Sequence, residues 1–79
     1  MSKRLANGTA IRAIRELLGI SVSAFAPRVD CTQGYMSNVE LGHKQPTTEF
    51  LARVARELSV PIDAISYVIP NSDHEEEAA

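Results

Sequence analysis

The strongest constraint on the fold is a series of short segments in which apolar residues recur every three or four positions. This spacing places the apolar side chains on one face of a helix, and that face must pack against another element to leave water. Each segment also begins or ends at a residue that favours a helix terminus. The predicted starts are Asn7–Thr9, Ser21, Thr32, Thr47 and Pro61, and the predicted ends include Gly19 and Gly42. The pattern therefore predicts five short helices.

The five apolar stripes differ in strength. They comprise, in chain order, Ile11, Ile14, Leu17 and Leu18; Val22, Phe25, Ala26 and Val29; Met36 and Val39; Phe50, Leu51, Val54, Ala55 and Leu58; and Ile62 and Ile65. Pro27 lies beyond the first turn of the second segment, where a proline removes one backbone hydrogen bond. We therefore expect the second helix to be kinked or shortened, with Asp30 in a tight turn after it.

The third segment, residues 33–41, is unusually polar for a helix of so small a protein. On a helical wheel Met36, Val39 and Glu40 lie together and are expected to face the protein. The opposite face collects Gln33, Gly34, Ser37, Asn38 and Leu41. From these residues alone, that face is either a solvated surface or a surface that binds a partner.

The size of the chain permits one domain with one small core, and its few aromatic residues make that core aliphatic. No apolar run is long enough to span a bilayer, and no signal-peptide pattern opens the chain. The single cysteine, Cys31, has no partner for an internal disulfide, which is typical of a reducing compartment. We expect a cytoplasmic protein in which Cys31 is a buried thiol, with a redox switch as the alternative.

The net charge of −2 is unevenly distributed. All eight Lys and Arg residues lie within residues 1–60, which contain only five acidic residues, whereas residues 61–79 contain the other five acids. We expect residues 1–6 to form a flexible basic arm and residues 7–66 to form the folded domain. Residues 67–79 are expected to be a dimer-contact segment followed by a disordered acidic tail.

The order of the segments resembles the lambda-repressor/Cro-type helix-turn-helix family of small phage and bacterial regulators. The resemblance covers about residues 9–65 and rests on the stretches IRAIRELLGISVSAFA, VDCTQGYMSNVELGHKQP and LARVARELSV. It implies an all-α, compact five-helix domain that acts as a sequence-specific, double-stranded DNA-binding transcriptional regulator. It also implies a homodimer that reads a pseudo-palindromic operator, with the third helix in the major groove.

The resemblance gives the polar face of the third helix a partner. Gln and Asn side chains can pair bidentately with the edge of adenine, and Gln33 and Asn38 match positions that family members use for base contacts. Ser37 can donate to or accept from either base pair, and Gly34 would let the backbone approach the groove closely. We therefore predict base contacts from these four residues.

Contacts to the DNA backbone are expected around the same helix, from side chains that can donate to phosphate. The candidates are Lys3, Arg4, Arg28, Thr32, Tyr35, His43, Lys44 and Gln45. For each of them, an ordinary surface residue is the alternative. The family pattern also implies that Glu40 pairs with Arg15 of the first helix and so fixes the third helix. Val22 departs from the pattern, because many relatives have glutamine there and use it to contact a phosphate.

Other functions remain open at this point. The apolar segment Ile65–Ile69 is either a dimer contact through Tyr67 and Val68 or a piece of chain packed over the core, and it can be a short strand. The acidic tail raises the alternative of an antitoxin whose tail binds a toxin, and the weak net charge leaves open a helical protein-interaction module. We expect neither an enzyme nor a cofactor, because no nucleophile motif, phosphate-binding glycine loop or metal-ligand spacing is present.

Overall fold

The computed structural model describes residues 2–70 of the chain. Its elements are, in order, β1 (Ser2–Ala6), α1 (Gly8–Leu17), α2 (Val22–Arg28), α3 (Gln33–Glu40), α4 (Thr48–Leu58), a 3-10 helix (Ile62–Ala64) and β2 (Ser66–Pro70). The acidic tail and its expected protein partner lie outside the described residues. Within those residues, no helix is both long and apolar enough to cross a bilayer.

Each of the four α-helices starts at a side-chain cap. The side-chain oxygens of Asn7, Ser21, Thr32 and Thr47 each accept a hydrogen bond from the amide three residues later, at 3.0–3.1 Å. These bonds satisfy amides that have no partner inside the helix, which is why the helices begin where they do. The four helix starts predicted from the sequence are confirmed.

The core is a single, mainly aliphatic cluster between the helices that also contains the rings of Phe25 and Phe50. Its fully buried side chains are Ile11, Phe25, Val29, Met36, Val39, Leu51, Val54 and Ile65. The predicted stripe of α1 is wrong at its end, because Leu17 is 84% exposed and Leu18 is also exposed. Leu17 lies six residues after Ile11, roughly 120° away around the helix, and Leu18 lies beyond the last helical residue.

The prediction of an all-α fold with five helices is wrong at both ends of the domain. The expected fifth helix is only the 3-10 turn at residues 62–64, and the chain then forms β2. Residues 2–6 are not a flexible arm, because they pair with β2 as an antiparallel strand that places Ser2 opposite Pro70 and Ala6 opposite Ser66. This pairing satisfies backbone groups that both segments would otherwise leave to water.

The two strands form a ribbon with two different faces. Ala6 and Ser66 are buried, so the face that carries them is turned towards the helices. Because side chains alternate along a strand, Lys3, Leu5, Tyr67 and Ile69 share the opposite face. We call these four residues the outer ribbon face. Tyr67 and Ile69 are both exposed on the outer ribbon face, while Val68 is exposed on the face that carries Ala6 and Ser66.

Candidate nucleic-acid interface

Two helices and a tight turn form the centre of the candidate interface. Pro27 lies in the last turn of α2, which ends one residue later, at Arg28. Asp30 then adopts a left-handed backbone with φ of 61°, a conformation that Asp tolerates better than most residues. The amide of Cys31 donates to the carbonyl of Ala26 at 3.1 Å, which closes the turn and directs the chain into α3.

The polar face of α3 points away from the protein. Gln33 and Gly34 are exposed, Ser37 and Asn38 are half-buried, and Leu41 just beyond the helix is 60% exposed. Met36 and Val39 on the other side are buried in the core. The structure therefore brings the four residues predicted to contact bases together on one surface.

A buried ion pair attaches the end of α3 to α1. Arg15 donates from Nε and Nη2 to the two carboxylate oxygens of Glu40, at 2.7 and 2.9 Å, and from Nη1 to the carbonyl of Ile20 at 2.7 Å. The side chains of Arg15 and Glu40 are only 9% and 6% exposed. The hydrogen bonding of Arg15 to the carboxylate of Glu40 raises the pKa of Arg15, against the opposing effect of burial. The pair links α3, α1 and the loop before α2.

Gly8 allows a second close contact between α1 and α3. A β-carbon at Gly8 would lie 2.3 Å from the carbonyl oxygen of Glu40 and 2.5 Å from that of Val39. Any side chain there would collide with the last turn of α3. Sequence reasoning missed this residue, although a glycine in the first turn of a helix is a signal, because glycine is a poor helix former. Gly34 differs, because nothing beyond its chain neighbours and the backbone of its own helix lies within 4 Å of its β-carbon position.

Several of the predicted phosphate contacts already have partners within the protein. Arg4 donates from Nη1 to Asp63 and to the hydroxyl of Ser66, each at 2.8 Å. The side-chain oxygen of Gln45 accepts from the amide of Ala6 at 3.0 Å, which ties the loop after α3 to β1. Arg28 is exposed, and its Nη1 lies 3.7 Å from Oε2 of Glu57 in a loose ion pair.

All but one of the other predicted phosphate contacts lie within α3 or next to its ends. The hydroxyl of Thr32 caps α3, and the ring of Tyr35 packs edge-on against Phe50 with the centroids 5.5 Å apart. Tyr35 is therefore half-buried and helps to hold α3 against α4. His43 and Lys44 are exposed, and their amides donate to the carbonyl of Asn38 at 2.8 and 3.3 Å, which keeps them beside the end of α3. Lys3 is exposed on β1.

An open hollow of about 190 Å³ lies between α1, the start of α2 and α3. It is lined by Arg12, Arg15, Val22, Ser37, Glu40 and Leu41. Arg12, which the sequence did not single out, is 57% exposed and donates from Nε to Glu16 at 3.0 Å. Val22, the departure from the family pattern noted in the sequence, contributes a small apolar side chain to this lining.

Cys31 is half-buried beside the core. Burial raises the pKa of its thiol, against a smaller opposing effect of Arg53, so the thiol stays protonated at neutral pH. Among residues 2–70, no group of three or more potential ligands could hold a metal ion. The surface around α3 offers hydrogen-bond donors and acceptors and cationic groups.

A family model described as helix-turn-helix matches residues 11–65, which are well over half of the chain. This chain belongs to the Cro/C1-type helix-turn-helix family. The helix-turn-helix itself consists of α2, the turn at Asp30 and α3. No protein with a curated description matches the chain closely.

Solved structures of regulators share the fold of this helix-turn-helix protein. Two crystal structures of the clp gene regulator ClgR from Corynebacterium glutamicum are 31% identical to it, with TM-scores of 0.69 and 0.68. Both matches cover 72% of this chain, and they cover 62% and 75% of the ClgR chains. The chain thus spans less than two thirds of the first ClgR chain.

A further neighbour is the master regulator for biofilm formation SinR, whose crystal structure is a complex with DNA. It is 28% identical to this chain, with a TM-score of 0.66, and the match covers 71% of this chain and 90% of SinR. ClgR and SinR are both described as regulators.

Proposed function

We propose that this helix-turn-helix protein regulates transcription by binding a specific sequence in double-stranded DNA, with α3 in the major groove. The observation that carries the proposal is the outward face of α3, where Gln33, Ser37 and Asn38 lie on a helix that a buried ion pair fixes to α1. Membership of the helix-turn-helix family and the DNA complex of SinR support it.

In the proposed complex, base edges are read by side chains that project from α3. Gln33 and Asn38 would each pair with adenine, Ser37 would donate to or accept from either pair, and Gly34 would let the backbone approach the bases. His43 and Lys44 have exposed side chains that can contact phosphates without loss of a hydrogen bond or ion pair described above, whereas Lys3 lies on the outer ribbon face that the homodimer proposed below would cover. Arg4 and Gln45 would act mainly by holding the ribbon and the loop after α3.

The same proposal includes a homodimer formed through the ribbon. Tyr67 and Ile69 expose apolar surface next to Leu5 on the outer ribbon face, and Val68 adds exposed apolar surface on the other face. Burying such surface against a second copy would be favourable, and a two-fold dimer presents two copies of α3 to two half-sites. The operator would then be pseudo-palindromic.

Selection from a pool of random duplexes tests the proposal directly. We expect a palindromic consensus, with an affinity that falls steeply as the salt concentration rises, because bound protein displaces counterions from the phosphates. If no duplex binds in a salt-dependent manner, the proposal is wrong and a protein-interaction module becomes the better explanation. A consensus without two-fold symmetry would reject the dimer while retaining DNA binding.

Replacement of Asn38 by alanine tests the readout by α3. Asn38→Ala should cost about 1–3 kcal/mol of binding free energy and relax one position of each half-site, since a bidentate contact to one base is lost. Affinities for the consensus and for its single-base variants give both quantities. Thr48→Ala, at the exposed start of α4, is the control and should change neither. An equal loss on every sequence would assign Asn38 to the DNA backbone instead.

A further inference from the structure

Arg12 places a guanidinium beside the surface proposed to read DNA. It lines the same hollow as Ser37 and Leu41, and both of these residues also belong to the outward face of α3. The hollow therefore opens along the edge of that face, on the side where α1 and the start of α2 lie. A helix in the major groove is flanked on both sides by phosphates, so a phosphate is the chemical group expected at such an edge.

Arg12 is the cation of the hollow that still has donors to offer. Arg15 uses its Nε and both Nη nitrogens on Glu40 and Ile20, and the charge of Glu40 is neutralised by the same pair. Among residues 2–70, the side chain of Arg12 donates one hydrogen bond, from Nε to Glu16. Because a guanidinium carries five N–H donors, its two Nη nitrogens can bind an oxyanion. The hydroxyl of Ser37 adds another donor on the opposite wall.

The bond from Arg12 to Glu16 is easily exchanged. Both side chains are more than half exposed, and an exposed pair one helical turn apart in the chain is weak. A phosphate presents the two oxygens that a guanidinium fork can bind together. The hollow has room for such a group, since its volume is about 190 Å³.

We propose that Arg12 leaves Glu16 when DNA binds and holds a phosphate of the duplex in the hollow between α1, α2 and α3. Glu16 is then a competitor that retains Arg12 in the free protein and weakens binding. This inference rests on the proposed function, because the phosphate belongs to the duplex that α3 reads. It assigns a DNA contact to α1, the helix for which no contact was expected.

The test measures the affinity of variants for the selected duplex over a series of salt concentrations. Arg12→Ala should bind about 3- to 10-fold more weakly, and the slope of log affinity against log salt should fall in magnitude by about 0.9, the value for one phosphate contact. Arg56→Ala, which removes an exposed arginine from α4, is the matched control and should leave affinity and slope nearly unchanged. A thermal melt of each variant verifies that it folds.

Glu16→Gln separates release of Arg12 from a general loss of negative charge. Alone, it should raise the affinity about 2- to 3-fold, and in the Arg12→Ala background the gain should largely disappear, because the two residues act through one contact. An equal gain in both backgrounds would overturn the role of Glu16 as a competitor.

Two further outcomes distinguish this inference from the proposed function. If the wild-type chain binds duplex and Arg12→Ala matches Arg56→Ala in affinity and slope, the inference is overturned and the proposed function stands. If the wild-type chain binds no duplex, the proposed function fails and this inference with it.

Inorganic phosphate at millimolar concentration should displace the duplex no better than chloride at equal ionic strength. Selective, saturable displacement would instead indicate a site for a free phosphate and would overturn the assignment.

Discussion

The Arg15–Glu40 pair is the residue-scale contact on which the position of α3 depends most. Both side chains are almost fully buried, and Arg15 donates two hydrogen bonds to the carboxylate of Glu40. Such a pair is not a large net stabiliser, but loss of one partner leaves a buried charge without compensation. We therefore expect Glu40→Ala to lower the free energy of unfolding by about 3–5 kcal/mol, measured by urea denaturation.

Glu16→Ala is the matched control for that prediction, because it removes the carboxylate of an exposed arginine–glutamate pair whose two residues both lie on α1. Its cost should be only about 0.3–0.5 kcal/mol. The affinity of Glu40→Ala for DNA should also fall, since α3 loses its attachment to α1. Equal stabilities for the two variants would show that the buried pair does not anchor α3.

Contacts between individual residues were predictable only where the family pattern specified both partners. The family pattern pairs Glu40 with Arg15, and the structure contains that pair. No pattern names a partner for Gln45, whose oxygen accepts from the amide of Ala6 in a strand that the sequence did not reveal. Tyr35 was expected at a phosphate, yet its ring packs on Phe50 of α4. Contacts of this kind depend on how distant elements dock, which local sequence does not specify.

At the scale of elements, one glycine lies inside α3 and another packs against it, and replacing them by alanine should change stability in opposite directions. Gly34 lies inside α3, with a right-handed backbone and open space at its β-carbon position. Gly34→Ala should therefore stabilise the protein by about 0.5–1 kcal/mol, because alanine loses less backbone freedom in a helix. Gly8→Ala should destabilise it by at least about 1–3 kcal/mol, since its β-carbon overlaps the last carbonyls of α3.

Thermal or urea unfolding of the two variants measures both effects in one experiment, and equal changes of the same sign would contradict the close contact at Gly8. The affinity of Gly34→Ala for DNA then decides the role of Gly34. A large loss of affinity in a more stable protein would indicate that the backbone at Gly34 approaches a base. An unchanged affinity would make Gly34 a tolerated weakness of α3.

The sequence predicted the helices far better than the strands, for a physical reason. A helix start depends on one capping side chain and the amide three residues later, so Asn7, Ser21, Thr32 and Thr47 were recognisable locally. The strands depend on each other, and each holds only five residues without clear alternation. The adjacent positive charges of Lys3 and Arg4 indicated an exposed arm. In the structure, however, Arg4 donates hydrogen bonds to Asp63 and Ser66.

At the scale of the whole molecule, the ribbon is the surface proposed to join two copies. Tyr67→Asp would place a charge in the middle of the outer ribbon face, where a buried carboxylate without a partner is costly. We expect this variant to sediment as a monomer at concentrations where the wild-type chain is a dimer, and to bind the full operator more weakly. Thr48→Asp adds the same charge at the start of α4 and should remain dimeric.

Operator half-sites provide a further check on the same prediction. A monomeric Tyr67→Asp variant should bind an isolated half-site as well as the wild-type chain does, because α3 is unchanged. If its sedimentation and its affinity for the full operator are unaffected, the ribbon is not the dimer surface. A loss of half-site affinity would instead mean that the substitution damages the fold.

The pairing of β1 with β2 also has a consequence for the order in which the chain folds. It joins segments from opposite ends of the described residues, with Ser2 opposite Pro70 and Arg4 opposite Val68. Closing so long a loop costs more entropy than docking neighbouring helices, and the cost falls once the helices between have condensed. We therefore expect the ribbon to form last. A chain arrested before that step would have no outer ribbon face to offer, so assembly into dimers would select for molecules that have finished folding.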